Sequence, residues 1–333
     1  MAQPQQNLMR TLQYSSYGGG ASALQHVQVP IPVPRKGEIL VKVECASVNP
    51  VDWKVQSGAL RPLLPPKFPH IPGTDIAGEV VAVGPEVTSF QEGDKVFSWL
   101  NLMVGGSLAE FAVAPIKSTV QKPQEISSSD ACCLPVAGLT ALQGIRDYAG
   151  ISIDGSSQAN VLIPGASGGV GIYAVQIAKL AGAHVTATCG ARNMDFVRSL
   201  GADEVLDYKS KEGIELISPS GRAYDAVINC TSGISWSTFK ARLKPVAKVV
   251  DLTPNVKSLA TTAMQKLSFC HAQELVPFIL SGKAEDLQFL AELVRDGKLR
   301  TFIDSQYPLS RAEDAWARSI DGHATGKIVV TVD

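Results

Sequence analysis

The run Asn160-Val161-Leu162-Ile163-Pro164-Gly165-Ala166-Ser167-Gly168-Gly169-Val170-Gly171 sets a short β-branched segment against a glycine-rich turn. An apolar helical pattern follows in Tyr173, Val175, Ile177, Ala178 and Leu180. Glycines there permit a tight turn and let backbone N–H groups approach an anion at the positive end of the helix. Glycine-rich turns occur in many loops, so the spacing alone is weak. Its place between strand and helix makes it a dinucleotide cradle, with Ser167, Gly168, Gly169 and Val170 against the pyrophosphate.

The next element bears on which dinucleotide. A second strand, His184–Thr188, ends about 20 residues beyond the glycines, where an NAD site carries Asp or Glu for the ribose 2′-hydroxyl. Here Thr188 is followed by Cys189-Gly190-Ala191-Arg192-Asn193. No carboxylate is present to repel a 2′-phosphate, and the Arg192 guanidinium suits one, although a solvated arginine at a helix start has the same sequence. Asp195 is the nearest acid, inside the following helical run. NADPH is favoured over NADH.

Composition excludes several classes. The 333 residues suffice for two domains, and a net charge of −1 gives no reason to expect nucleic acid or an anionic membrane as partner. No apolar run reaches the length of a transmembrane helix. Met1 to Leu8 is polar, without the apolar core of a signal peptide or the Arg- and Ser-rich character of a transit peptide. Cys45, Cys132, Cys133, Cys189, Cys230 and Cys270 show no Cys-x-x-Cys spacing and mostly sit in apolar runs, as reduced core thiols do.

Pattern divides the chain in two. Up to about residue 125 it is strand-rich and punctuated by Pro and Gly, with candidates Leu24–Val29, Glu38–Cys45, Ile76–Val83, Lys95–Ser98 and Ala109–Val113. Pro30–Pro34 and Arg61–Pro66 read as extended connectors. Strand and helix then alternate, with strands Asn160–Ile163, His184–Thr188, Glu204–Leu206, Ala226–Cys230 and Lys248–Leu252, which implies a parallel sheet. Helical stretches near 272–297 and 310–320 lead to a last strand, Lys327–Val332.

Several separated motifs together resemble the zinc-free medium-chain dehydrogenase/reductases of the quinone oxidoreductase type, and among them the plant chloroplast-envelope quinone and enone oxidoreductases. They are Ser47–Lys54, Pro72–Gly78, Leu134–Ala141, Gly165–Gly171, Leu200–Asp203 through Asp207-Tyr208, and Gly322–Val330. The fold implied is α/β: a GroES-like β-rich catalytic domain (1–125 and 298–333) around a Rossmann doubly wound parallel-sheet domain (126–297). The resemblance implies a soluble protein of cytoplasm or chloroplast, monomeric or homodimeric, with room for peripheral contact with a membrane.

Zinc-dependent relatives place Cys and His-Glu ligands where this chain has Asn49-Pro50 and Thr74-Asp75. A catalytic zinc needs about three N, S or O ligands held together. The histidines at 26, 70, 184, 271 and 323 do not pair at ligand spacing, Cys270-His271 being the one adjacent Cys-His pair, so no metal site is expected. Without a Lewis acid on the carbonyl, conjugate hydride addition is the accessible route, charge spreading onto the distant oxygen. The resemblance implies Asn49 toward the nicotinamide, Thr140 on the nicotinamide or its phosphate, and Tyr208 near the adenosine phosphate. Cys230 with Thr231, and Leu252 with Thr253, follow strands at the carboxyl edge of the sheet, where cofactors bind. Lys54 reads equally as a donor to the substrate oxygen or as a solvated lysine. Trp53 replaces a tyrosine found in many relatives, which removes a phenol donor and leaves a substrate or packing role.

Leu60, Leu63, Leu64, Phe68 and the run Phe97–Val104, with Trp99 at its centre, either wall a cleft for a hydrophobic enone, oxo-fatty acid or quinone, or serve as ordinary core. Two rival readings stand: a non-catalytic, crystallin-like NADPH-binding protein, and a zinc alcohol dehydrogenase. Arg192→Ala should weaken NADPH by about 1.5–3 kcal/mol, the range for a charged hydrogen bond, and leave NADH nearly unchanged. Titrating both nucleotides against the variant checks this, and equal losses would remove Arg192 from the phosphate.

Overall fold

The computed structural model describes residues 7–61, 67–267 and 272–332. Pro62–Pro66 of the second connector, including Leu63 and Leu64, and the Cys270-His271 pair lie outside the described residues. Two compact units are present: Met1–Val136 with Gly282–Gly297 and Thr301–Asp333, and Ala137–Ser281 with Lys298–Arg300.

In the first unit the strands are β1 (Leu8–Gln13), β2 (Gln25–Pro30), β3 (Glu38–Val48), β4 (Asp75–Val83), β5 (Lys95–Trp99), β6 (Phe111–Pro115) and β7 (Thr119–Gln121). In the second they are β8 (Asn160–Pro164), β9 (His184–Cys189), β10 (Glu204–Asp207), β11 (Tyr224–Asn229), β12 (Leu243–Asp251) and β13 (Gln273–Pro277). The chain returns to the first unit with β14 (Ile303–Pro308) and β15 (Lys327–Thr331).

The first unit's larger sheet runs β14-β15-β3-β4-β5-β7, with β6 also on β3, and β1-β2 form a separate ribbon. Alternation of side chains along β3 and β4 sends Ile39, Val41, Val43, Ile76 and Val80 into one core with Val96 and Leu100. Ala46, Val48, Ile328 and Val330 join Leu12, Tyr14 and Trp316 in a second. Register matters most at one end of this sheet. Ser47 of β3 pairs with Asp75 of β4, Asp75 with Trp99 of β5, and Val48 with Ile328 of β15. Asn49, Asp75 and Lys327 therefore stand at adjoining strand ends.

The second unit has the order β10-β9-β8-β11-β12-β13, all parallel. In chain order this is 3-2-1-4-5-6, the doubly wound arrangement that binds dinucleotides where the strand order reverses. That reversal falls between β8 and β11. Buried apolar runs such as Val161-Leu162-Ile163 and Val227-Ile228 are what a sheet covered on both faces demands.

Three sequence expectations change. The 272–297 stretch is not one helix: Gln273–Pro277 is the edge strand β13 on β12, and only Ala284–Arg295 is helical. Pairing with β12 overrides the local pattern, and Pro277 cannot continue a helix. The unit boundaries also differ from 125/126 and 297/298. Ser128–Ala131 packs on β3 and β4, and Ala284–Arg295 packs on β7, so both join the first unit. Residues 298–300 stay with the second, where Gln176 and Arg300 exchange hydrogen bonds of 2.8 and 2.9 Å. β1, β7 and β14 were not anticipated.

Gly171 is fixed by packing. A Cβ there would press into the Gly165 carbonyl and the Ala166 backbone, whereas one on Gly168 would meet only the Gly165 oxygen, at 3.4 Å. Gly171→Ala should cost about 1–3 kcal/mol, as overpacking does, and Gly168→Ala should leave the unfolding midpoint nearly unchanged. Denaturant unfolding of the two variants compares them directly.

Candidate active site

In the first unit, β3 ends at Val48 and the chain enters the helix Pro50–Ser57 through Asn49, its extended N-cap. Pro50 suits the first helical position, where no N–H is needed. Asp52 accepts the Asn49 N–H at 2.8 Å, half of a capping box. The Asn49 side chain points elsewhere: its Nδ2 donates to Asp75 Oδ2 at 2.8 Å, and its Oδ1 accepts from Lys327 Nζ at 2.5 Å. Ser47 Oγ and the Val136 N–H also donate to Asp75, at 2.8 and 3.1 Å. Lys327 Nζ lies 3.9 Å from Asp75, and the two residues are 2% and 0% exposed at the side chain.

Burial raises the Asp75 carboxyl, while Lys327 and the donors from Asn49, Ser47 and Val136 pull it down. Burial, with repulsion from Asp75, lifts Asp52 to about 7 against the Asn49 N–H, Lys327 and Thr74. Thr74 Oγ1 reaches Asp52 at 3.5 Å. A cavity of about 10 Å³ touches Asp52, with His70, Gly73 and Thr74 among its walls. Burial pushes His70 down to about 4, so the imidazole there is neutral.

The proposed substrate residues divide. Trp53 shares the helix with Asn49, half-buried against the core, its Nε1 without a hydrogen-bond partner among the described residues. Lys54 is half-buried, its Nζ 5.8 Å from the Trp53 ring centroid. Trp99 ends β5 beside Asp75 and packs on Gly282, where a Cβ would enter the indole. Phe68 is 39% exposed and lies edge-on to Tyr14 and Tyr17.

In the second unit the nominated residues sit at the carboxyl ends of the parallel strands. Ser167 to Val170 lead from β8 into the helix Gly171–Leu180, where the Ile172, Tyr173 and Ala174 N–H groups already bond to the Gly168 and Val170 carbonyls. Thr188 is in β9, and its carbonyl accepts the Ala166 N–H at 2.9 Å. Arg192 is exposed in the turn Ala191–Asn193 after β9. Tyr208 follows β10, its N–H bonded to Cys189 O and its ring 3.4 Å from a Cβ placed on Gly190. Cys230 and Thr231 follow β11 directly beside Gly165. Leu252 and Thr253 follow β12, with Thr253 Oγ1 on Thr231 O at 2.9 Å. Thr140 stands apart, buried in the helix Pro135–Gln143. These residues fit a dinucleotide, since the turn into the helix carries no side chain at Gly168, where even a Cβ would meet only the Gly165 oxygen, and the residue that follows β9 is Gly190.

A zinc ion does not fit the first unit's cluster. Zinc takes thiolate, imidazole and carboxylate, whereas Asn49 and Thr74 offer an amide and a hydroxyl, and the Lys327 ammonium lies among them. Among the described residues no group of three or more His, Cys, Asp or Glu is placed to hold a metal.

Lys327, Asp75 and Asp52 carry the cluster, yet sequence reasoning gave them no role. Their signal was present, because each lies in a motif already marked. What was missing was the strand order that sets those motifs side by side.

The description "Alcohol dehydrogenase GroES-like domain" matches residues 35–124, and "Zinc-binding dehydrogenase" matches residues 200–330. A chloroplast envelope quinone oxidoreductase homolog of Arabidopsis thaliana is 59% identical over 97% of this chain and 98% of its own length. A chloroplastic quinone-oxidoreductase homolog of Spinacia oleracea is 55% identical over the same shares, 97% and 98%. The quinone oxidoreductase structure from Coxiella burnetii superposes with a TM-score of 0.86 at 31% identity, covering 98% of this chain and 100% of that one. The chain belongs to the quinone oxidoreductases of the medium-chain dehydrogenase/reductase superfamily, with a GroES-like domain and a Rossmann-type sheet. It is accordingly an NAD(P)H-dependent oxidoreductase. Among the described residues, no helix is long and apolar enough to cross a membrane.

Asp52 is raised in the folded state, to about 7 from 3.8. Its contribution to stability is therefore complete below the unfolded value and is lost as pH rises through the folded one. Relative to the wild type, Asp52→Asn should gain stability steadily from pH 4 to pH 8. Urea unfolding of both proteins across that range reads the difference, and a flat difference would mean that Asp52 is ionised throughout.

Proposed function

We propose that the chain is an NADPH-dependent, zinc-independent reductase that adds hydride in conjugate fashion to α,β-unsaturated carbonyls or quinones. The observation that carries this reading is the Asn49–Asp75–Lys327 cluster, in which the Asn49 amide donates to Asp75 and accepts from Lys327, and in which Asn49 and Asp75 stand where zinc-dependent relatives hold metal ligands. Such donors stabilise an enolate oxygen without a metal. The preference for the phosphorylated cofactor rests on Gly190 and Arg192, where a carboxylate would stand for NADH.

The turn Ser167 to Val170, at the start of the helix, would hold the pyrophosphate. Arg192 would pair with the 2′-phosphate, and Tyr208 would lie near the adenosine phosphate. Thr140 and Thr253 hold the nicotinamide end, with Cys230 and Leu252 packing on it. NADPH, when bound, supplies the hydride. Asn49 and Lys54 donate to the carbonyl oxygen of the substrate while the β-carbon takes the hydride. The double-bond electrons move onto that oxygen, and the α-carbon takes its proton from water. Trp53, Phe68 and Trp99 offer apolar surface to a ring or acyl chain and shed water from it. Positioning supplies most of the rate, since the cluster presents no nucleophile–base pair. The plant relatives are named as chloroplast proteins, and we place this chain in the same compartment.

With 4-deuterated NADPH and an enone, the label should appear at the β-carbon, the carbonyl should survive, and chelators should leave the rate unchanged. Mass spectrometry and NMR of the product read this. Label on the carbinol carbon of an allylic alcohol would move the protein to the carbonyl reductases. NADPH bound without oxidation by enals, quinones or long-chain oxo-enoic acids would favour the crystallin-like reading.

A further inference from the structure

We propose that Lys327 is a positioning residue, which fixes the side-chain amide of Asn49 in one of its two orientations and so determines which end of it meets the substrate. The inference rests on the conjugate-reduction reading above for its kinetic consequence, but its geometry stands alone.

The two ends of an asparagine amide are nearly isosteric and differ only in hydrogen-bond sign. Packing therefore does not orient the amide; its partners must. Lys327 has donors only, so it accepts only the Oδ1 end, and the contact is 2.5 Å. The Asp75 carboxylate has acceptors only, so it takes the Nδ2 end, at 2.8 Å. Turning the amide over would set N–H against ammonium and carbonyl against carboxylate, two repulsions among groups nearly closed to solvent. The amide is thus held between a buried cation and a buried anion.

This lock leaves one hydrogen to spare. Of the two on Nδ2, one is spent on Asp75, and the other has only the Ser47 carbonyl, at 3.5 Å. That length is at the margin of a hydrogen bond. The spare N–H is the donor that remains for a substrate oxygen, and without Lys327 one of the two repulsions that keep it there is gone, leaving Asp75 alone to orient the amide. The lysine itself is set by its backbone. Its N–H bonds to Phe302 O at 2.8 Å, and Gly326 before it has φ +93 with no room for a Cβ beside Phe302.

The test is a double-mutant cycle on the full-length chain with Lys327→Met, Asn49→Ala and the pair, following enone reduction and NADPH binding. Each single variant should lose about 10- to 100-fold in kcat, the scale of a misplaced reacting group, with the Kd for NADPH unchanged. The pair should lose no more than Asn49→Ala alone, because a residue acting through another adds nothing once that other is gone. Losses that multiply would overturn the proposal. Lys327→Gln keeps a donor toward Oδ1 without the charge, and it should recover most of the rate. If Lys327→Met does not fold, Lys327→Gln decides, and a folded Gln variant as impaired as Asn49→Ala would also overturn it. A second readout is independent of turnover. The Asn49 side-chain amide resonances, assigned by their loss in Asn49→Ala, should move strongly in Lys327→Met. An unmoved pair would refute the lock even if the wild type reduces no enone, an outcome that by itself would sink only the functional reading.

Discussion

One ammonium and two carboxyl groups withdrawn from water set the terms for the first unit. Removing each ion from solvent costs several kcal/mol unless its neighbours replace the lost hydration. The surrounding chain is arranged to do so. Ser47, Asn49, Thr74 and the Val136 N–H all aim donors at Asp75 or Asp52, and Lys327 donates to the side-chain oxygen of Asn49. The register of β3 with β4 and β15 exists at this end of the sheet in a form that brings these groups within reach, and a slip by one residue would turn every one of them away. Asp52, with the weakest set of donors, is the carboxyl that gives way and binds a proton near neutrality.

The second unit solves a different problem with almost no charge. A backbone turn must approach a strand end, a helix start and, on the proposed reading, a pyrophosphate, so side chains are removed where backbones crowd. Gly165 takes φ +75 beside Cys230 and Thr231, and Gly171 lies against the same turn. A Cβ on Gly168 would meet the Gly165 oxygen at ordinary contact distance, 3.4 Å. Identical residue types in one motif thus face unlike surroundings, close backbone packing at Gly165 and Gly171 and ordinary contact at Gly168.

Much of this was legible in the chain. The alternation of strand and helix after residue 126 leads to the parallel sheet, because β-branched runs of this length have no other use between helices. The glycine turn was found where a strand meets a helix. The carboxyl-edge residues Cys230 and Thr253 followed from counting strands. The first unit yielded less. β14 and β7 are short or half-exposed, with weak alternation, and their identity comes from the strands they join. β13 was hidden because a short edge strand was read together with the helix that follows it, Ala284–Arg295, as one helical stretch. The Lys327 contact was invisible for a topological reason: its partner is 278 residues away, and no local pattern encodes a non-local pair.

That same separation has a consequence for the chain as it is made. Asn49 and Asp75 leave the ribosome long before Lys327 exists. At about 5–20 residues per second the interval over 278 residues is on the order of half a minute. All of β8 to β13 is synthesised within it, so the nucleotide-binding unit can close while the first sheet still lacks β15. During that time the two carboxyl groups lack the cation that stands beside them in the folded chain, and burying them costs more than it does later. The late arrival of one lysine thus ties the burial of Asp52 and Asp75 to a strand made after all of β8 to β13.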